Sequence, residues 1–226
     1  AIADELHAQG ARVFGTSRDP VQAERIAEKY GTSPVVMDVA DVSSIRMAVK
    51  SLWESQGPFH LLCNNAGINA PQAGLDVDEK TWQRVFDTNV TGTFFVTQTL
   101  ARYWVADGIR GSVVNVGSQA GSVAIEDRVA YGSSKAAIAH MTRVLAFEWG
   151  RFGIRVNAVA PTFIRTELSA STLDRPGMEE KLTSRIPMGR LGIPGDVAPS
   201  VAFLFNDQAS LITGHTLAID GGYTIH

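Results

Sequence analysis

Short apolar runs alternate with segments of helical periodicity along the chain, and this alternation constrains the fold more than any other feature. The apolar runs are bounded by turn residues, as β-strands are. Strands separated by helices form βαβ units, in which the strands run parallel because each helix carries the chain back along the sheet. We therefore expect a parallel α/β fold. The predicted strands are residues 12–16, 34–38, 59–63, 112–116, 154–160 and 215–219.

The segments between these strands place apolar residues on one helical face, as amphipathic helices do. After the fifth strand, the chain shows no strong periodicity as far as Pro194. No repeat, linker or low-complexity tract divides the 226 residues, so a single domain, 1–226, is predicted. The predicted helices are residues 1–9, a segment that ends at Tyr30, and residues 42–55, 78–106, 129–151 and 195–205.

Composition and charge narrow the classes of partner. The net charge is −3 and no polybasic run is present, which argues against nucleic acid and membrane surfaces. No apolar stretch approaches the ~20 residues of a membrane span. Cys63 is the only cysteine, so an intrachain disulfide is impossible and a cytoplasmic location fits best. The five histidines show no metal-ligand spacing, and no metal site is predicted.

A tyrosine and a lysine four positions apart, Tyr131 and Lys135, open the helix predicted at 129–151. At this spacing their side chains share one face of a helix. An ammonium beside a phenol favours the phenolate and lowers its pKa from roughly 10, as general acid–base catalysis requires. Ser118 follows a predicted strand, at the edge where open α/β sheets bind ligands, and its hydroxyl can reach the same substrate oxygen. An exposed tyrosine beside a solvated lysine is the alternative.

Two further polar residues, Asn89 and Asp38, each have two possible roles. Asn89 lies inside a predicted helix, where asparagine is unfavourable because its amide competes for backbone groups. It either holds a buried water that relays protons to Lys135 or is simply exposed. Asp38 ends a predicted strand, and it either accepts a hydrogen bond from an adenine amino group or caps the next helix.

Five motifs, in order, carry a resemblance to one known family. They are Asn64-Asn65-Ala66-Gly67, Asn89 within DTNVTGTF, Ser118 with Tyr131-x-x-x-Lys135, the loop 160–166 with Thr162 in place of the family's glycine, and Ile219-Asp220-Gly221-Gly222. Over essentially all 226 residues the chain resembles a short-chain dehydrogenase/reductase. The resemblance implies a doubly wound, Rossmann-like parallel sheet in three layers.

The same resemblance implies the roles of the catalytic residues. Tyr131 exchanges a proton with the substrate, and Ser118 polarises the carbonyl group. Lys135 lowers the pKa of the tyrosine and holds the ribose of the cofactor. Asn89 completes the catalytic set.

The resemblance also implies a dinucleotide cofactor. Ser17 stands where NAD-specific relatives carry an acidic residue for the ribose 2′-hydroxyl, and the adjacent Arg18 suits a 2′-phosphate. NADP is therefore expected, with NAD as the alternative, although Arg18 is equally a surface residue in a turn and Asp19 lies beside it. The cofactor-binding candidates are Ser17, Arg18, Asp38, Val39, Asn65, Ala66, Gly67, Tyr131, Lys135, Pro161, Ile164 and Thr166.

The predicted function is hydride transfer between NADP(H) and a secondary alcohol or ketone, with a 3-oxoacyl, sugar or polyol compound as the small-molecule substrate. The alternative is a non-catalytic dinucleotide-binding or scaffold protein on the same fold. A serine hydrolase is unsupported, because Ser118 lacks the G-x-S-x-G elbow. A substrate loop is expected at about residues 162–194. Apolar candidates for its wall are Phe163, Leu168, Met178 and Met188, while Glu126 and Arg128 either contact a polar substrate or are solvated.

The two long predicted helices, 78–106 and 129–151, carry apolar side chains around much of their circumference. One stripe facing the sheet cannot bury all of them. The family resemblance pairs these helices across one two-fold axis and the strand 215–219 across another. A homotetramer is therefore expected.

The start of the chain departs from the expected fold. Residue 1 lies inside what would be the first helix, and no glycine-rich G-x-G-x-x-G turn precedes it. In the expected strand order, one more strand belongs between residues 12–16 and 59–63. We therefore expect the working polypeptide to be longer at its N-terminus by about 20–30 residues.

Overall fold

Parallel strands form two sheets in this computed structural model, which describes residues 1–225 apart from the side chain of Ser171; His226, the last histidine considered as a metal ligand, lies outside them. The smaller sheet pairs β1 (Thr16–Ser17) with β2 (Val35–Val36). The larger sheet has the order β3-β4-β5-β6, and each neighbouring pair is parallel. The predicted parallel α/β fold is confirmed. Strands β3 to β6 are Leu61–Asn64, Ser112–Val116, Arg155–Pro161 and Thr216–Ile219.

Helices connect these strands, and short polar side chains begin several of them. Asp19, Asp41 and Asp78 each accept a hydrogen bond from a backbone N–H in the first turn that follows. None of the described helices is both long and apolar enough to cross a membrane. Helices α1 to α9 span Ile2–Ala8, Pro20–Tyr30, Val42–Gln56, Glu79–Phe86, Thr93–Asp107, Val129–Trp149, Glu167–Leu173, Met178–Thr183 and Pro194–Phe205.

Successive side chains of the larger sheet face opposite layers of helices, as the period of a strand requires. Val113 of β4 packs in one core with Trp104 of α5 and Leu145 of α6. The next residue, Val114, packs in a second core with Val201 of α9. Helices therefore cover both faces of the sheet, which is the three-layer, doubly wound arrangement that was predicted.

The strands near the start of the chain are shorter than predicted. The ladder between β1 and β2 holds two residue pairs, Thr16 with Val35 and Ser17 with Val36. Residues 12–15, although apolar enough for a strand, belong to neither sheet. A strand exists only where its backbone groups pair with a neighbour, and apolar patterning does not reveal whether that neighbour is there.

The helix predicted at residues 78–106 contains a π-helical turn, Asp87–Gly92, between α4 and α5. Such turns occur frequently at functional sites. Gly92, at the end of this turn, is buried, and a Cβ atom there would overlap the carbonyl oxygen of Val39. Glycine is therefore required for the helix to pass this close to the segment that follows β2.

Candidate active site

The carboxyl ends of three neighbouring strands meet at one edge of the larger sheet. β3 ends at Asn64, Ser118 lies two residues beyond the end of β4, and β5 ends at Pro161. α6 starts beside this edge, so that Tyr131 lies in its first turn. Open parallel sheets bind ligands at this edge, and the predicted catalytic residues therefore gather where chemistry is expected.

A chain of hydrogen bonds through the half-buried Asn64 and the buried Asn115 fixes the strand ends against the helices. Asn64 Nδ2 donates to Thr97 Oγ1 and to Asn115 Oδ1, both at 2.8 Å. Asn115 Nδ2 donates in turn to Thr142 Oγ1 at 2.9 Å. These bonds join β3 and β4 to α5 and α6, and they hold the edge of the sheet and the helix that carries Tyr131 in one arrangement.

The environment of Tyr131 opposes its ionisation. Burial raises the pKa of the Tyr131 hydroxyl, while the adjacent Ser118 hydroxyl and the charge of Arg128 act against that rise. Ser118 is itself oriented by Ala120, whose backbone N–H donates to Ser118 Oγ at 3.2 Å. The exposed-tyrosine alternative is wrong for this residue, because Tyr131 is half-buried.

Lys135 is buried, with only 5% of its surface exposed. Its Nζ donates to the carbonyl oxygen of Val116 at 2.8 Å and lies 5.6 Å from the centre of the Tyr131 ring. Burial lowers the pKa of Lys135 to about 8. The expected lowering of the Tyr131 pKa by this ammonium is not seen, because the lysine is directed at a backbone carbonyl and desolvation of the phenol dominates.

Asn89 lies in the π-helical turn and is fully buried, so the exposed alternative is wrong. Its Oδ1 accepts from Ile68 N at 2.8 Å, and its Nδ2 donates to Ile68 O and to Ser134 Oγ, both at 3.0 Å. The side chain thereby clamps the backbone just after Gly67. A Cβ atom at Gly67 would lie 3.3 Å from Asn89 Oδ1 and 3.5 Å from Lys135 Nζ, so this glycine brings the loop against the buried ammonium.

Ser17 is the last residue of β1 in the smaller sheet, and Arg18 follows it. Ser17 Oγ accepts from Asp19 N at 3.1 Å, and Asp19 Oδ1 accepts from Val21 N at 3.0 Å. Asp19 is thus engaged in capping α2. Arg18 is exposed and has no ion-pair partner among the described residues.

Asp38 and Val39 follow β2 and are both half-buried. Asp38 Oδ1 accepts from Ala40 N at 2.9 Å, which closes a short turn. The residue that caps α3 is Asp41, so the capping alternative for Asp38 is wrong. An adenine contact stays a prediction.

The loops after β3 and β5 hold the remaining cofactor candidates. Asn65 and Ala66 are exposed beside the half-buried Gly67. Among the described residues, Asp127 is the single non-glycine with a positive φ, so Thr162 replaces the family's glycine without backbone strain. Thr162 Oγ1 is buried without a hydrogen-bond partner. This free hydroxyl and the buried Lys135 ammonium fit the polar groups of a ribose and a nicotinamide carboxamide.

Pro161, Ile164 and Thr166 differ in environment. Pro161 is buried as the last residue of β5. Ile164 forms a parallel bridge with Gly192, which closes the base of the predicted substrate loop. Thr166 N donates to Ser169 Oγ at 2.9 Å, which explains this residue pair as the start of α7. A contact between Thr166 and the cofactor stays a prediction.

The predicted substrate loop contains two short helices, α7 and α8, which are too short for an apolar period to be visible in the sequence. Phe163 and Met178 pack on the apolar core beneath them. Leu168 and Met188 are instead 50% and 67% exposed. The buried members of this core are Leu173, Leu182, Ile186, Leu191 and Tyr223.

Two participants in the site were missed by sequence reasoning. Ser134 receives the Asn89 amide from 45 residues away, a separation that no local pattern signals. From the sequence, Thr162 is only a replacement for the family's glycine, whereas its hydroxyl lies in a buried position just after β5. In residues 1–225, no group of three or more His, Cys, Asp or Glu side chains is arranged to hold a metal ion.

The chain has extensive similarity to known proteins. A profile of the family described as "Enoyl-(Acyl carrier protein) reductase" matches residues 1–224. Galactitol 2-dehydrogenase (L-tagatose-forming) of Cereibacter sphaeroides is 36% identical over 222 residues, covering 96% of this chain and 87% of that protein. D-erythrulose reductase of Gallus gallus is 35% identical over 226 residues, covering 100% and 90%.

A solved structure with the same fold supports this similarity. Gluconate 5-dehydrogenase from Burkholderia cenocepacia J2315, in complex with NADP and tartrate, has a TM-score of 0.94 at 28% identity over 100% of this chain and 90% of that chain. The fold together with these relatives defines an NAD(P)-dependent oxidoreductase that acts on CH–OH or C=O groups. The chain belongs to the short-chain dehydrogenase/reductase family. The scaffold alternative finds no support in these three relatives.

Replacing Lys135 by methionine tests whether the buried ammonium lowers the free energy of unfolding. Since the folded pKa of about 8 lies below the ordinary 10.5, the folded state binds this proton less tightly than the unfolded state. The buried charge then costs roughly 3 kcal/mol below pH 8, and this cost disappears as the pH rises toward 10.5. We expect Lys135→Met to increase the free energy of unfolding in urea at pH 7 by roughly 1–3 kcal/mol. The gain should shrink above pH 8.

Lys80→Met, at an exposed position of α4, is the matched control and should change the unfolding midpoint little at either pH. A Lys135→Met variant that is less stable than the wild type at pH 7 would show that the bond to Val116 outweighs the desolvation of the ammonium.

Proposed function

We propose that the protein transfers a hydride between NADP(H) and a secondary alcohol or ketone of the sugar or polyol class. One observation carries this proposal. Tyr131 is half-buried beside Ser118 and one helical turn from the buried Lys135, at the carboxyl edge of a parallel sheet. This arrangement provides a proton donor, a hydrogen-bond donor for the substrate oxygen and a cation in one small volume.

Each catalytic residue has a definite task in this proposal. When bound, the nicotinamide ring gives or accepts the hydride. Tyr131 passes a proton to the substrate oxygen in reduction and takes it back in oxidation, and Ser118 donates a hydrogen bond to the same oxygen. Lys135 holds the ribose, and Asn89 positions the backbone after Gly67. Residues of about 162–194 cover the substrate.

The substrate class rests on the relatives. Galactitol 2-dehydrogenase, D-erythrulose reductase and gluconate 5-dehydrogenase are named for a polyol, a ketose and a sugar acid. These names support a sugar or polyol over a 3-oxoacyl compound. The position of Ser17 and Arg18 at the end of β1 supports NADP over NAD, because Asp19, the nearby carboxylate, is engaged in capping α2.

Tyr131→Phe removes only the oxygen that titrates. We expect kcat to fall by at least ~100-fold while the dissociation constant for the cofactor changes little. Tyr103→Phe, which keeps the stacking of this ring on Trp53, is the control and should retain full activity. Steady-state kinetics and cofactor fluorescence titration check both. Retention of more than about a tenth of the wild-type kcat in Tyr131→Phe would exclude this tyrosine as the proton carrier.

Arg18→Ala tests the cofactor preference. We expect the KM for NADPH to rise by about 10-fold or more and the KM for NADH to change little, since the lost charge-assisted bonds reach only the 2′-phosphate. Arg46→Ala, at an exposed position of α3, is the control. Equal increases for both cofactors would identify Arg18 as an ordinary surface residue.

We also propose that the protein is a homotetramer. Phe147 and Val144 of α6 are 89% and 40% exposed, and Val105 of α5 is 42% exposed, so these helices keep apolar surface uncovered in one chain. Light scattering at micromolar concentration should give four times the chain mass, and Phe147→Glu should reduce it. A monomeric wild type would refute the assembly. The cytoplasmic location expected from the lone Cys63 stays a prediction.

A further inference from the structure

Arg128 is a charged residue at the boundary of α6, one turn before Tyr131. Its position is set by backbone contacts from two loops. Arg128 pairs with Gln72 in a parallel bridge, and Gln72 N donates to Asp127 O at 3.1 Å. Asp127 has a left-handed backbone with a φ of 58°, a conformation that only a few non-glycine residues adopt and that often marks a functional position.

The guanidinium of Arg128 reaches from the catalytic helix to the substrate loop. Its Nη2 donates to Thr172 Oγ1 of α7 at 2.9 Å, and its Nη1 donates to Asp127 O at 3.1 Å. Thr172 is buried, and the arginine itself is half-buried. Arg128 therefore lies between the first turn of α6, where Tyr131 acts, and the helix that covers the substrate.

Both partners of this guanidinium are neutral oxygen atoms. Within the described residues, no carboxylate lies within ion-pair distance of it. A guanidinium has five N–H donors, and these two bonds leave several of them free. A partly buried cation without an opposite charge is costly, and an anionic ligand relieves that cost.

The charges around Arg128 also favour the binding of an anionic ligand. Arg175, just after α7, is close enough to disfavour the charge on Arg128, and burial together with this repulsion lowers the pKa of Arg128. Asp127 acts in the opposite direction, although its carboxylate makes no ion pair with Arg128. Glu126 is exposed and lies 4.0 Å from Lys181. The N-terminus of the 21-residue α6 contributes a further partial positive charge, with no acidic residue in its first turn.

We infer that Arg128 is a specificity-determining residue and that it binds an anionic group on the substrate. The substrate is then a secondary alcohol or ketone of the sugar class that carries a carboxylate or a phosphate. A forked guanidinium recognises either group by paired, charge-assisted hydrogen bonds. This inference rests on the proposed function, because it places the anion on the same molecule that Tyr131 protonates or deprotonates.

The test compares three sets of substrates of matched chain length: neutral polyols and ketoses, the corresponding sugar acids, and the corresponding sugar phosphates. The quantity compared is the ratio of kcat/KM for an anionic substrate to kcat/KM for its neutral counterpart. For the wild type we expect a ratio of about 10 or more for one anionic set, and which set it is distinguishes a carboxylate from a phosphate. In Arg128→Gln the ratio should fall by about 10-fold or more, toward 1, because the contact that favours the anion is lost.

Two further variants keep the result interpretable. Arg128→Lys keeps the charge without the fork and should recover part of the ratio. Arg143→Gln, at an exposed position of α6, should leave the ratio unchanged. Competitive inhibition by malonate and by inorganic phosphate gives a binding readout, and the inhibition constant of the preferred anion should rise in Arg128→Gln.

The contrary results separate a failure of the inference from a failure of the proposed function. A wild type that turns over neutral substrates at least as well as anionic ones overturns the inference and leaves the proposed function intact. Equal ratios in wild type and Arg128→Gln overturn it as well. A wild type that turns over none of the three sets overturns the proposed function, and the inference with it.

Discussion

The site depends on keeping one ammonium group out of water. Lys135 is buried against the Val116 carbonyl, and the low pKa of about 8 shows how strongly its surroundings disfavour the charge. Protein interiors rarely tolerate such a group without a purpose, since a buried cation is costly unless a partner arrives. This burial supports the proposal that Lys135 binds a partner with oxygen acceptors, such as a ribose.

The structure around this lysine is arranged to make its burial possible. The π-helical turn brings Asn89 inward, and the Asn89 amide holds the Ile68 backbone so that Gly67 lies against the ammonium. The amide chain from Asn64 to Thr142 keeps the ends of β3 and β4 in place beside α6. Asn89, Asn115 and Thr142 are buried, so the loss of one of these groups leaves its hydrogen-bond partner unsatisfied at a cost in free energy.

The two arginines proposed to bind ligand groups have different surroundings. Arg18, proposed for the 2′-phosphate of the cofactor, is exposed just after a strand. Arg128, proposed for an anionic group of the substrate, bridges α6 to α7 and is half-buried. The segment 162–194 is closed at its base by the bridge between Ile164 and Gly192, and its apolar core also includes Val123 and Tyr223 from outside the segment. The segment is therefore packed against its surroundings as well as on itself.

The sequence by itself determined the parallel α/β class, the approximate positions of the main strands and long helices, and the spacing of Ser118, Tyr131 and Lys135. These features follow from local periodicity and from motifs that span only a few residues. Only the tertiary structure decided the division into two sheets, the π-helical turn, the contact of Asn89 with Ile68 and Ser134, and the direction of the Tyr131 pKa. Each of these depends on groups that are distant in sequence, and desolvation in particular is set by everything packed around a side chain. A four-residue spacing places a lysine near a tyrosine, but it cannot show how much water either of them keeps.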